Sequence, residues 1–365
     1  MIKSLLSNTV TEKDFNYLIS SYDVTDGVDV FKYFPLKKQI GSQWKSAANA
    51  KDDKKAAPVI ARNASIPLGE EPTTEVIRGD IPKIAVKYEM KDDEITEFQA
   101  ALALAGSDAA AKRLVNETLD DHASRVIKLV NNRVVWMALQ SMSRGKVELT
   151  RANNANGNIV SESDMDYGMQ KHGRYGAAWT SKASATPITG DFVNAVKDGR
   201  GKGRQYKRVW MSADTFATMA ATDEVIKLSA SFATNLLGAA YIPSVEQVNT
   251  ALRGRADLYG LQINIIDELL NVDGETKNPF IPNVVLFTEG EELGQSHWFT
   301  PADMAVNDGT TMKALNNFIC VKKWATADPL MELTAGIANI IPAFEASQRA
   351  MLVDVINESW NEGSV

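Results

Sequence analysis

The sequence of 365 residues predicts an α+β fold, and three observations carry that reading. One long helical pattern has no partner helix of similar length. Short apolar runs bounded by Gly and Pro flank it, and a mixed lobe of short helices and strands fills the second half. With 44% hydrophobic and 23% charged residues the chain has the composition of a globular protein that can bury a sizeable core, and its length suggests two or three domains.

Residues 1–50 are irregular, with an amphipathic stretch around 15–19 and an apolar cluster at 28–34. Ordering a backbone residue costs about 1–2 kcal/mol, which so few apolar groups cannot offset alone. The expectation is that neighbouring subunits order this arm, and docking on its own subunit is the alternative. The charged run 51–55 breaks the pattern. Residues 57–90 then read as a long two-stranded excursion, with runs 58–60, 75–77 and 84–88 separated by Pro67, Gly69, Pro72, Gly79 and Pro82. A two-stranded ribbon is marginal alone and must lie on something else. Its charges are mixed, Arg62, Arg78, Lys83 and Lys87 alternating with Glu70, Glu71, Glu75, Asp80 and Glu89.

The clearest element spans 108–145, with Asp108 as expected N-cap and Gly145 as C-cap. Val115, Leu119, Ala123, Val126, Val130, Val134 and Met137 recur in steps of three and four, so this helix of about 50 Å predicts a spine laid across a sheet. Runs 146–150, 157–160 and 175–179 read as strands, followed by a turn at Pro187. Helices are expected at 188–197, 213–221 (capped by Ser212) and 245–252, and strands at 206–211, 260–267 and 283–288. Residues 331–341 and 350–356 read as closing strands separated by a turn at Pro342.

The chemistry-bearing residues point to no reaction. His122, His172 and His297 share no metal-binding spacing, and the single Cys320 excludes an internal disulfide or a multi-thiolate zinc site. Cys320 sits in an apolar run that reads as buried strand. Asp164 and Asp166 could hold a cation or act as paired carboxylates, with a solvated turn as the alternative. Arg200, Lys202 and Arg204 alternate with glycines at 199, 201 and 203 in a basic loop that could meet phosphate, but its spacing is no nucleotide fingerprint. No Gly-x-Ser-x-Gly elbow is present. Lys and Arg number 39 against 46 Asp and Glu, and the formal charge of −7 excludes a basic protein that coats DNA. With no apolar run long enough to span a membrane and no signal-peptide pattern, the chain reads as made and kept in the cytoplasm. No cofactor is expected.

The order of these elements resembles the major capsid proteins of tailed phages, the Hong-Kong-97-type fold, and most of all the lambda-like capsid family. The resemblance is carried by Ala138, Leu139 and Gly145 to Val147 at the end of the spine, by Trp179, and by Pro187, Ile188, Asp191 and Phe192. It continues through Val209 to Ser212 with the helix over 213–225, Leu293 and Gly294, and residues 338–355 with Pro342. It implies an N-terminal arm over 1–50, an extended loop over 51–90 and a peripheral domain over 91–187 with spine helix 108–145. An axial domain would cover 188–328, and 329–365 would close the peripheral domain. It further implies hexamers and pentamers in an icosahedral head around double-stranded DNA, with a separate scaffolding protein, a portal and a decoration protein as partners, no membrane, and no catalytic residue. The extended-loop residues Arg62, Glu70, Glu71, Glu75 and Arg78 would meet a neighbouring subunit, and Arg200, Lys202 and Arg204 would lie on the axial domain. The alternatives are a nanocompartment shell of the encapsulin kind and a cytosolic enzyme using Asp164 and Asp166.

Overall fold

In a computed structural model of the chain, the described residues are 11–48, 75–150, 153–154, 163–230, 242–272, 274–305 and 309–361. The spine is the helix Asp108–Arg144, and Gly145 ends it in the left-handed conformation at φ 69°. Its N-cap is Ser107 rather than Asp108: the Ser107 hydroxyl accepts from the Ala110 amide at 3.2 Å, which leaves Asp108 free to face the positive helix end from the first turn. The first half of the helix buries one stripe, Val115, Leu119 and Ala123. From Val134 to Leu139 every side chain is buried, because here the helix passes into the body of the protein. A second helix, Asp92–Leu104, precedes it, and of its side chains only Ile95 is fully buried, so its weak stripe gave no periodic signal.

The spine lies across a six-stranded sheet. Its strands run Leu36–Lys38, Gln295–Phe299, Leu330–Ala343, Ile319–Ala327 and Met312–Asn316 in spatial order, with Lys83–Met90 also paired to Leu330–Ala343. Gly336 marks the closest approach of helix and sheet, where a Cβ would stand 3.0 Å from Cβ of Val126. Pro342 lies inside the long strand instead of at a turn. It pairs with Ser296, and the pairings of the long strand with Ile319–Ala327 and with Lys83–Met90 have ended by Asn339, so its missing N–H leaves no ladder bond unmade there.

The second sheet orders Gln170–His172, Met351–Asp354, Val284–Thr288, Arg208–Ser212 and Gln262–Ile266. Both faces are buried, and the strand alternation sorts the residues. Val209, Met211, Val285, Phe287, Met351 and Val353 join a core with Trp179, Ile188 and Phe192, whereas Trp210, Val284, Leu286 and Leu352 join the core under the spine. The expected pair of closing strands therefore separates, one to each sheet. The expected lobe 188–328 separates too, since strands 295–299, 312–316 and 319–327 belong to the spine's sheet. Pairing between strands distant in sequence decides this, and hydropathy runs do not encode it. Pro187 opens a wide helical turn, Pro187–Phe192, that continues into the helix Val193–Gly201. Residues 175–179 form no strand; Trp179 is buried in a loop, its indole N–H donating to Asp191 at 2.7 Å.

Candidate assembly surfaces

The arm from 11 to 48 is held by its own subunit, contrary to the expectation from its composition. Phe15, Ile19, Val24, Val30, Phe34 and Trp44 are all buried in the core under the spine. Hydrogen bonds fasten the backbone between them: the Asn316 amide donates to the carbonyls of Ile19 and Tyr22, each at 2.6 Å, Asn131 to Val24 at 2.8 Å, and Ser296 to Phe34 at 2.9 Å. The Tyr22 hydroxyl donates to the Asp120 carboxylate on the spine. The strand Leu36–Lys38 then adds to the sheet edge, parallel to Gln295–Phe299. The few apolar groups suffice because they enter a core that other segments build.

A ribbon leaves the body here. It pairs Gln43–Ala48 with Glu75–Asp80, so its strands are not the two expected within 57–90, and Lys83–Met90 belongs to the main sheet. Arg62, Glu70 and Glu71, and the expected strand 58–60, lie outside the described residues. Glu75 is in register with Ala48, and Arg78, exposed, with Lys45. At the ribbon's root Trp44 is fully buried, its ring stacked on His297 at 4.8 Å and 11°. Just past the ribbon, Asp303 accepts from Lys83 at 2.8 Å and Lys322 at 3.0 Å. Burial pushes the Asp303 carboxyl up, but the two ammonium groups outweigh it and hold it down at about 2.

The basic residues of the second lobe do not converge. Arg200 lies over the Tyr259 ring at 3.8 Å, Lys202 pairs with Asp198 at 3.1 Å, and Arg204 donates to Gln170 at 2.8 Å. The glycines are the end of a helix rather than a flexible loop: Gly199 is buried where a Cβ would meet Tyr206 at 2.4 Å, and Gly203 turns the chain at φ 76°.

Asp164 and Asp166 lie on the strand Ser163–Asp166, opposite Glu148 and Lys146, and Asp166 accepts from the Gly168 amide at 2.8 Å. Among the described residues no three His, Cys, Asp or Glu side chains gather as a metal site would require, and no helix is long and apolar enough to cross a membrane. His122 is half-buried, with burial and the nearby Lys323 lowering its pKa, and His172 stacks on Tyr175 at 4.1 Å. Cys320 is buried in the sheet, its thiol pushed up to about 11 by burial and then by Asp303. His297 is the exception. It meets Gln39 and Glu345 at 2.8 Å each, a convergence of residues 39, 44, 297 and 345 that no local motif announces.

A spine helix across one sheet, a second two-faced sheet and a ribbon rooted between arm and body make up a fold of the Hong-Kong-97 type. Residues 33–351 match the family described as phage major capsid protein E, and the chain belongs to that family. A solved structure of a capsid protein assigned to a prophage of E. coli CFT073 is similar at 15% identity and TM-score 0.55, covering 98% of this chain and 100% of its own. A phage-related protein from Bordetella bronchiseptica RB50 is similar at 12% identity and TM-score 0.48, covering 93% of this chain and 95% of its own. The capsid of cyanophage A-1(L) gives 12% identity and TM-score 0.45, covering 90% and 93%. No curated protein matches. The protein is a structural major capsid protein of the virion shell, assembled from copies of itself, and not an enzyme.

Proposed function

We propose that copies of this chain close an icosahedral head as hexamers and pentamers around double-stranded DNA, with the ribbon crossing to a neighbouring subunit. The observation that carries this is the ribbon: its two strands pair only with each other among the described residues, from a root whose core belongs to the body, and such a ribbon is marginal unless it lies on another surface. The arm would be 1–50 and the extended loop would include 51–74, with Arg62, Glu70, Glu71, Glu75 and Arg78 meeting the neighbour. The spine and its sheet would form the peripheral domain, and the second sheet with its helices the axial domain, Arg200, Lys202 and Arg204 on its surface. A scaffolding protein, a portal and a decoration protein would be the partners. The subunit's charge of −7 suits a container that encloses DNA without a dense set of phosphate contacts.

Negative-stain electron microscopy beside a light-scattering mass tests this, on the chain alone and with a co-expressed scaffolding protein. Closed shells, or free hexamers and pentamers, are expected. A sharp monomer or dimer under both conditions would overturn the reading. Deleting residues 55–72, which spares both paired strands, should leave a folded subunit that closes at least tenfold fewer shells. Normal shells from that deletion would remove the ribbon from the neighbour's surface.

A further inference from the structure

We propose that Trp44, His297, Glu345 and Gln39 form a positioning joint that aims the ribbon, so that the direction of its reach is set inside each subunit. This rests on the reading of the ribbon as an intersubunit element. A six-residue strand spans about 20 Å, so a tilt of about 10° at the root displaces the far end of the paired strands by about 3 Å. That displacement would cost a neighbouring site its contacts. The root therefore has to be stiff.

Three segments of the chain meet on one imidazole. His297 is fully buried on the strand Gln295–Phe299. Its Nε2 faces the Glu345 carboxylate at 2.8 Å, just past the end of the long strand Leu330–Ala343, and a carboxylate there requires an N–H on Nε2. In the neutral ring Nδ1 is then an acceptor, and the Gln39 amide donates to it at 2.8 Å from the arm. Gln39 is itself fixed, its backbone amide donating to the Trp298 carbonyl at 2.6 Å. With both nitrogens bonded, the ring cannot turn about its axis without losing two hydrogen bonds.

The ribbon lies on the face of this fixed ring. Trp44 stacks nearly parallel to it, and the Trp44 indole N–H is buried without a hydrogen-bond partner among the described residues, so stacking and packing hold the indole. On the paired strand Gly79 stands opposite Trp44. A Cβ at Gly79 would come within 2.0 Å of Met165 Cε and 3.1 Å of Trp44 Nε1, so Met165 and Trp44 close on bare backbone there. The ribbon is thus pinned on both strands at one level, by the Trp44 ring on one and the glycine on the other.

The test compares Trp44→Leu, which keeps apolar bulk but loses the stack, with Trp44→Phe, which keeps a ring. Glu345→Ala frees Nε2 of His297 without touching the ribbon and serves if Trp44→Leu fails to fold. Amide exchange is read on unassembled subunits, and shells are counted by electron microscopy. Trp44→Leu should speed exchange at least tenfold over 43–48 and 75–80 while leaving 208–212 unchanged, with closed shells at least tenfold fewer. Trp44→Phe should restore most of both, and Glu345→Ala should speed the same amides about threefold. Unchanged ribbon exchange in Trp44→Leu and Glu345→Ala, wild-type shells from either, or Trp44→Phe as defective as Trp44→Leu would overturn the joint. Failure of the wild-type chain to form shells would overturn the functional reading instead, and the exchange data would still decide whether the root is stiffened by this stack.

Discussion

The second lobe and the arm with its ribbon solve the same problem in opposite ways. The lobe covers one face of its sheet with its own helices, and Trp179, Ile188, Phe192 and Phe287 fill a core that those helices and that sheet themselves supply. The arm and the ribbon's root contribute single anchors, Phe15, Phe34 and Trp44, to a core that the spine and its sheet provide. A shell subunit needs both kinds of construction. A body must fold before assembly, while projecting segments must be held firmly at the root and left available for neighbours beyond it.

The largest expected effect falls on the lobe. Trp179→Ala removes a fully buried ring and the hydrogen bond to Asp191, whose carboxyl burial pushes up, and should cost about 3–5 kcal/mol, read as a lowered unfolding midpoint of capsomers. If the two regions are independent, exchange in 11–48 should change far less than in 187–230. Equal loosening of both would break the comparison. Next comes the sheet that carries the arm. Lys323 is fully buried beside Glu332 at 3.5 Å and donates to Thr334 at 3.0 Å. Lys323→Met removes the ammonium from beside the buried Glu332 carboxylate and should cost about 3 kcal/mol, whereas adding Glu332→Leu should recover most of that loss in the same denaturation assay. No recovery in the double variant would mean that Lys323 acts through something other than this pair.

The smallest effect sharpens the boundary between ribbon and body. Asp303 pins Lys83 at the start of the strand that follows the ribbon. Its folded pKa of about 2 lies below the ordinary 3.8, so its contribution is fully present above the ordinary value and is lost as pH falls towards 2. Asp303→Asn should cost about 1 kcal/mol at neutral pH and flatten the loss of stability between about pH 4 and pH 2. An acid titration as steep as that of the wild type would assign the loss to other carboxylates.

What the sequence revealed follows the range of the forces involved. The spine was legible because its stripe and the terminal Gly145 are local, and Ser212 was legible as a cap for the same reason. Strand pairing was not. Leu36–Lys38 finds its partner at Gln295–Phe299, and the run around Ile84 joins the main sheet instead of a hairpin, because register across hundreds of residues is settled by packing. The arm misled composition, since an anchor such as Phe34, lying against Phe344 at 6.0 Å, draws on a core built elsewhere. Of the residues proposed to meet a neighbour, Arg78 is exposed. The joint at His297 was hidden, because its four members come from three distant segments and a lone histidine carries no signal.

The central claim is that the body is complete in the free subunit and the ribbon is completed by a neighbour. Amide exchange followed by mass spectrometry on isolated capsomers and on closed shells of the same chain tests it directly. Peptides over 208–212, 284–288 and 330–343 should be equally protected in both states, while peptides within 49–74 should gain at least tenfold protection on closure. Equal protection of 49–74 in both states would contradict the account, because the ribbon would then be completed within its own subunit.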